Sequence, residues 1–294
     1  MRQTLRKNRL FTGIGRSVLR TMGLALVALF SHQHVSAAPI ELKVIDSVDP
    51  PWPSIGRVNV AGFRSTAMCT GTLIAPDIVL TAAHCLYNKT TRKPFPIEDL
   101  LFMAGVRRDE YSARLEPACT ITAAGYEPRQ KPRLREVHKD VGIILLKEPS
   151  TLPPVPVLSL DEATVLTKDT RFQSAGYRRS RRFLPTVVPA CRVMGTAEDS
   201  WVTDCASEAG ASGGPLLVET PNGLRVAGIM SAKIDAVRSA IVPFLEWQDL
   251  LANPRCSGDS APGKARWLSG RRRSWPWKPA HRAVRSWWKR RTGS

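Results

Sequence analysis

The segment Thr81-Ala82-Ala83-His84-Cys85 places a histidine beside a cysteine at the end of a short apolar run. An aspartate follows in Asp140-Val141-Gly142-Ile143-Ile144-Leu145-Leu146, and a serine in Gly210-Ala211-Ser212-Gly213-Gly214-Pro215. A packed core histidine, a helix-capping aspartate or a serine in a turn would each explain one segment alone. Together, in the order His, Asp, Ser, they provide the three side chains that activate a serine hydroxyl as a nucleophile.

The sequence around these segments consists of short apolar runs separated by turn residues, and it shows no long helical period. This pattern predicts an all-β barrel or sandwich. The clearest predicted strands are residues 57–62, 71–76, 78–81, 141–146, 216–218 and 226–230. One helix is predicted over residues 242–251, because proline is tolerated in its first turn and leucine and tryptophan form one apolar face.

Residues 45–252 resemble the trypsin-like serine proteases of the chymotrypsin fold, especially the bacterial secreted members. The resemblance rests on the three motifs and their order. It implies two six-stranded antiparallel β-barrels packed side by side. The expected fold is these two barrels followed by the short C-terminal helix that the sequence predicts. It also implies His84 as base, Asp140 as orienting carboxylate and Ser212 as nucleophile, with the backbone N–H groups of Gly210 and Ser212 as the oxyanion hole.

Each of these roles has a physical reason. A serine hydroxyl is a poor nucleophile near neutral pH, so a base must accept its proton, and imidazole has a suitable pKa. A buried carboxylate orients the imidazole and stabilises its charged form. The apolar run after Asp140 predicts that this carboxylate is buried at the start of a strand, where an unpaired charge would be unfavourable. This chemistry needs no cofactor.

Six cysteines, an even number, agree with export to an oxidising compartment. The resemblance implies a disulfide between Cys69 and Cys85, which would tie the His84 turn to a neighbouring strand. We expect a second pair between Cys191 and Cys205, and Cys119 and Cys256 are paired only by elimination. No two cysteines have CxxC spacing, so we expect no metal site.

Two departures from the family concern activation. Animal trypsins carry, just before the nucleophile, an aspartate that binds the amine freed by zymogen cleavage, whereas this chain has Ala211. Residues 44–47 also lack a typical trypsin start. We therefore predict that activity does not depend on a freed N-terminal ammonium. Glu208 replaces a family cysteine, so a disulfide of the substrate pocket is missing.

The substrate pocket also departs from that of trypsin. Ala206 stands where a trypsin has a pocket-floor aspartate, so we expect cleavage that is not restricted to arginine and lysine. The edge strand of the pocket reads Ser231-Ala232-Lys233. Lys233 either narrows the pocket mouth or attracts an acidic side chain, or it simply faces solvent on a shifted strand.

The net charge of +18 belongs mainly to the two ends of the chain. Residues 1–37 contain six basic residues, residues 260–294 contain eleven, and neither end contains an acid, which leaves the centre nearly neutral. Residues 1–37 are typical of a secretory signal peptide, with an apolar run at 22–30 and small residues at the cleavage site. Cleavage fits before Ala38 or one residue later. An uncleaved membrane anchor is the alternative, disfavoured because the apolar run is short.

We assign residues 38–256 to the protease domain and residues 257–294 to a disordered tail rich in tryptophan and arginine. The tail has the composition of segments that bind an anionic membrane or envelope surface, which we favour over nucleic acid in an exported protein. A tail without any partner is the alternative.

The sequence as a whole predicts a secreted or periplasmic serine endopeptidase. We expect it to act as a monomer on protein or peptide substrates. The competing hypothesis is a catalytically idle trypsin-fold binding protein that its tail tethers to anionic surfaces.

Overall fold

The computed structural model describes residues 42–61, 68–129, 133–252 and 254–256. The predicted signal peptide and the predicted tail lie outside these residues, as does Gly62 at the end of the first predicted strand. Within these residues, fifteen strands account for most of the regular structure. In chain order they are β1 Lys43–Val44, β2 Ile55–Val60, β3 Met68–Ala75, β4 Ile78–Thr81, β5 Leu100–Ala104, β6 Ala113–Leu115, β7 Pro117–Thr122, β8 Gly142–Leu146, β9 Phe172–Arg178, β10 Arg181–Cys191, β11 Val193–Ala197, β12 Ser200–Thr203, β13 Pro215–Thr220, β14 Gly223–Lys233 and β15 Ser239–Pro243.

The strands form two antiparallel sheets, which confirms the predicted all-β class and the double-barrel fold. The first sheet has the order β6-β5-β2-β3-β4-β8-β7, and the second has the order β1-β10-β9-β13-β14-β15-β12-β11. The described sheets therefore contain seven and eight strands, where six each were predicted. The additional strands β1, β6 and β11 lie at sheet edges and are partly or fully exposed, so they carry no apolar pattern.

Helices are few and short among the described residues. The α-helices are α1 Leu160–Ala163 and α2 Gln248–Ala252, and the 3₁₀ segments are Trp52–Ser54, Ala83–Leu86, Ile97–Asp99, Leu134–Lys139 and Phe244–Glu246. The predicted C-terminal helix is present as α2, but its predicted start at residue 242 is wrong. Val242 pairs with Ile229 in the second sheet, and this pairing keeps the chain extended as far as Pro243.

The two sheets are connected through buried side chains. Tyr177 in β9 is fully buried, and its hydroxyl donates to Val106 O at 2.8 Å. One core cluster contains residues of both sheets, for example Leu80 and Ile143 from the first and Trp201 and Ile229 from the second. This shared core fixes the position of one sheet against the other, and the predicted site residues lie on segments of both.

Candidate active site

His84 lies in the 3₁₀ segment Ala83–Leu86, which directly follows β4. The next residue, Cys85, forms a disulfide with Cys69 of β3, with the two Cα atoms 6.0 Å apart. The disulfide ties the turn that carries His84 to the first sheet. The His84 side chain remains 23% exposed, so its ring can meet a substrate while its backbone is held in place.

Asp140 follows the 3₁₀ segment Leu134–Lys139 and is 5% exposed, as the apolar run after it predicts. Its carboxylate accepts three hydrogen bonds. His84 donates from its backbone N–H to Oδ1 and from Nδ1 to Oδ2, both at 2.8 Å, and Ser231 Oγ donates to Oδ2 at 2.5 Å. Since an ionised carboxylate only accepts hydrogen bonds, Nδ1 of His84 carries a proton, and in the neutral ring Nε2 then has the lone pair that a general base requires.

Ser212 lies in the turn between residue 210 and β13. Its carbonyl accepts from the N–H of Thr70 at 2.8 Å, and its Oγ donates weakly to Ser231 O at 3.5 Å. Within the described residues, Ser212 Oγ makes no hydrogen bond to Nε2 of His84. Such bonds are often long before substrate binds and shorten in the complex, and a rotation about χ1 of Ser212 redirects its hydroxyl.

The turn that carries Ser212 requires glycine on both sides. Gly213 has φ +79°, and a Cβ there would lie 2.3 Å from Thr70 O. Gly210 has φ +99°, and a Cβ there would lie 2.8 Å from Tyr177 O. An L-residue is strained in this backbone conformation, and neither position has room for a side chain.

Two backbone donors of this turn are available to a ligand. The N–H groups of Gly210 and Ser212 donate no hydrogen bond to any other described residue. The N–H groups of the neighbouring residues already make hydrogen bonds within the protein, since Ala211 donates to Glu208 O at 3.0 Å and Gly213 donates to Met230 O at 2.6 Å. Two free N–H groups flanking one serine form the arrangement that stabilises a developing oxyanion.

Of the predicted pocket residues, the structure brings Ser231 and Lys233 to the site but not Ala206. A cleft of about 280 Å³ is lined by His84, Asp140, Ser212 and these two residues of β14. Ala206 lies outside this cleft, where its carbonyl accepts from the Arg178 guanidinium at 2.6 Å. Sequence reasoning assigned Ser231 to substrate binding and missed its hydrogen bond to Asp140, because a serine on a strand carries no signal of its partner.

The cleft has a surplus of positive charge. Its two glutamates, Glu127 and Glu136, both pair with Arg129, at 2.7 and 2.8 Å. Among the ion pairs of the described residues, none involves the three lysines of the cleft, which are Lys89, Lys139 and Lys233. Their ammonium groups are therefore available to an anionic ligand.

All six cysteines form disulfides in the structure. Besides the bond near His84, Cys191 bonds to Cys205 and Cys119 to Cys256. Two groups of described side chains have metal-ligand geometry, one around His84 and one around Asp204, and each consists otherwise of a disulfide pair. Metals bind cysteine as a thiolate, so neither group offers a cation three ligands while its disulfide is intact.

Comparison with known proteins identifies the family. A sequence profile of the trypsin family matches residues 46–243, which is more than half of the chain and includes all three predicted catalytic residues. The chain belongs to the trypsin family. Membership agrees with the double-barrel fold and with the contact between His84 and Asp140.

Three proteins to which parts of this chain are similar come from animals. A segment of 130 residues is 28% identical to the modular serine protease of Drosophila melanogaster, covering 42% of this chain and 21% of the relative. A segment of 80 residues is 35% identical to coagulation factor XII of Sus scrofa, covering 27% and 12%. A segment of 78 residues is 33% identical to chymotrypsin-like elastase family member 1 of Felis catus, covering 25% and 29%. The chain thus matches less than a third of the length of each relative.

In the described part of the chain, no helix has the length and apolar character that crossing a membrane requires.

Proposed function

We propose that this protein is a serine endopeptidase that hydrolyses peptide bonds through His84, Asp140 and Ser212. The observation that carries the proposal is the pair of 2.8 Å hydrogen bonds from His84 to Asp140, beside Ser212 in one cleft. The trypsin-family profile and the similarity to the modular serine protease support the same reaction.

The reaction proceeds in two steps. Nε2 of His84 accepts the Ser212 proton as Oγ attacks the scissile carbonyl carbon, and the tetrahedral oxyanion accepts hydrogen bonds from the N–H groups of Gly210 and Ser212. The C–N bond then breaks, the leaving amine takes the proton from Nε2, and an acyl-enzyme remains on Oγ. Water, deprotonated by His84, hydrolyses this ester and restores Ser212. Asp140 stays ionised and stabilises the imidazolium in both steps.

The cleavage preference differs from that of trypsin. The carboxylates that line the cleft are paired with His84 and Arg129, so they do not favour a basic side chain, and cleavage is not limited to arginine and lysine. A peptide-library digest tests this point, and efficient cleavage only after arginine would contradict it. Protein or peptide substrates follow from the reaction itself.

The place of action is outside the cytosol, secreted or periplasmic, as for the bacterial secreted members of the family. Three disulfides support this assignment, since such bonds persist in oxidising compartments. Residues 1–37 serve as the signal peptide, and residues 260–294 bind an anionic envelope surface. Binding to anionic liposomes that survives deletion of residues 260–294 would exclude this role of the tail.

A fluorophosphonate probe tests the proposed function directly, because it reacts only with an activated serine. We expect covalent labelling of the wild-type protein and none of the Ser212→Ala variant. Ser112→Ala is the matched control, since Ser112 is an exposed serine outside the cleft and its variant should label fully. A wild-type protein that stays unlabelled while correctly folded would instead favour the idle binding protein.

A further inference from the structure

The segment 206–210, which delivers the Gly210 N–H to the site, is bound along its length by the turn between β9 and β10. Ser180 in this turn donates to both oxygens of the Glu208 carboxylate, from its backbone N–H at 2.9 Å and from its hydroxyl at 2.8 Å. Arg179 donates its N–H to Ala209 O at 2.7 Å. Three hydrogen bonds thus join two adjacent residues of the turn to two adjacent residues of the segment.

A buried arginine holds the beginning of the same segment. Arg178 is 6% exposed, and its guanidinium donates to Ala206 O at 2.6 Å and to Thr186 Oγ1 at 2.9 Å. Burial lowers the pKa of Arg178, and the negative charge of Glu208 acts in the opposite direction. A buried cation of this kind is unfavourable unless its donors are satisfied, so the carbonyl of Ala206 is firmly tied to it.

The end of the segment is fixed by a threonine from the other sheet. Thr70 Oγ1 donates to Gly210 O at 2.8 Å and accepts from the Tyr177 N–H at 2.9 Å. The Thr70 N–H donates to Ser212 O at 2.8 Å. Thr70, which is buried, therefore holds the carbonyl groups of Gly210 and Ser212, the same two residues whose N–H groups point to the oxyanion hole.

Residues 44–47, where a trypsin-like start would be expected, make no hydrogen bond to segment 206–210 within the described residues. Val44 pairs with Thr186 at the edge of the second sheet, and Ile45 donates its N–H to Pro185 O at 2.9 Å. Ala211, just before the nucleophile, has no carboxylate that could bind an ammonium group. The cation and the carboxylate that hold the segment, Arg178 and Glu208, both belong to the second sheet and its loops.

We propose that Arg178 and Glu208 are positioning residues that hold segment 206–210 with the Gly210 N–H directed at the oxyanion, so the site forms without a freed N-terminal ammonium. This inference rests on the proposed function, because it concerns the same oxyanion hole. It explains why the chain can carry alanine at residue 211 and glutamate at residue 208.

The first test compares Glu208→Ala with Glu208→Gln and Ser180→Ala. Because loss of one oxyanion donor lowers kcat by about 10²–10³-fold, we expect a displaced donor in Glu208→Ala to lower kcat by at least ~10-fold while KM stays unchanged. Glu208→Gln keeps one acceptor oxygen and Ser180→Ala keeps the backbone donor, so both should retain intermediate activity. Glu98→Ala, at an exposed glutamate outside the cleft, is the control.

A spectroscopic readout separates positioning from general destabilisation. In a trapped acyl-enzyme, the infrared stretching frequency of the ester carbonyl rises when its hydrogen bonds weaken. We expect a higher frequency in Glu208→Ala than in the wild type, and no change in Glu98→Ala. An unchanged frequency together with an unchanged kcat would overturn the inference.

A second measurement addresses activation. Acetylation of the mature N-terminus should leave kcat/KM within about twofold of the unmodified protein, because no ammonium group is required. A large loss would contradict the inference. Failure of the proposed function looks different, since the wild-type protein itself would then fail to react with the fluorophosphonate.

Discussion

Replacement of Asp140 by asparagine changes the carboxylate that orients the catalytic base. The two carboxylate oxygens accept three donors, two from His84 and one from Ser231, at 2.5–2.8 Å. An amide has one acceptor oxygen and an NH₂ group that donates. The backbone N–H of His84 can only donate, so the amide oxygen must turn to it, and the NH₂ group then faces Nδ1.

The consequence is a change of tautomer. Nδ1 becomes an acceptor for the amide, the proton moves to Nε2, and Nε2 loses the lone pair that deprotonates Ser212. Loss of the correct tautomer lowers kcat by about 10⁴-fold, which corresponds to about 5 kcal/mol of transition-state stabilisation. We expect KM to change little, because Asp140 is buried and does not bind the substrate side chains.

The assay is steady-state hydrolysis of a peptide ester by Asp140→Asn, with Asp77→Asn as a control at an exposed aspartate outside the cleft. Fluorophosphonate labelling of both variants gives a second rate that depends on the same proton transfer. A kcat of Asp140→Asn within about tenfold of the control would refute the role of Asp140.

Three further outcomes follow from the structure. Replacement of Cys69 and Cys85 by alanine should lower the free energy of unfolding by ~3 kcal/mol, because the unfolded chain gains conformational entropy when the loop is no longer closed. Urea denaturation measures this change, and an unchanged midpoint would contradict it. Burial raises the pKa of Glu162, but hydrogen bonds from Ser159 and Asn222 and the charge of Arg225 outweigh it and lower the pKa to about 2. Because the pKa of Glu162 is lower in the folded than in the unfolded state, its stabilisation is present above about pH 4.5 and is lost as pH falls towards 2. Glu162→Gln should therefore destabilise the protein at pH 6 and much less near pH 2. The lysines of the cleft have no acidic partner among the described residues, so an acidic substrate side chain can pair with them. Lys233→Glu should therefore lower kcat/KM for peptides with glutamate near the scissile bond by up to about fivefold, whereas Lys168→Glu, outside the cleft, should not. Equal effects of the two substitutions would argue against an acidic subsite.

The sequence predicts well those features that local chemistry determines. The apolar run after Asp140 predicts a buried carboxylate before a strand, and the structure places it there at 5% exposure. Alternating and continuous apolar runs predict the central strands, because their side chains must face a core. Edge strands such as β11 are not predicted in this way, since their residues are largely exposed and need no apolar pattern.

Features that depend on distant partners could not be predicted. Ser231 donates to a carboxylate 91 residues earlier in the chain, and Thr70 donates to a carbonyl 140 residues later. No local pattern distinguishes these hydroxyls from any other on a strand. The helix start was misplaced for a similar reason, because Val242 is compatible with a helical face until its strand partner Ile229 is known.

Ser212, activated by His84, should form an acyl-enzyme with the substrate during turnover. Mass spectrometry of the protein, quenched with acid during turnover of a slowly hydrolysed ester, tests it directly. We expect one acyl group per chain, located on the peptide that contains Ser212, and its loss in Ser212→Ala and in His84→Ala. Turnover without any acyl adduct, or an adduct that persists in Ser212→Ala, would contradict Ser212 as the nucleophile.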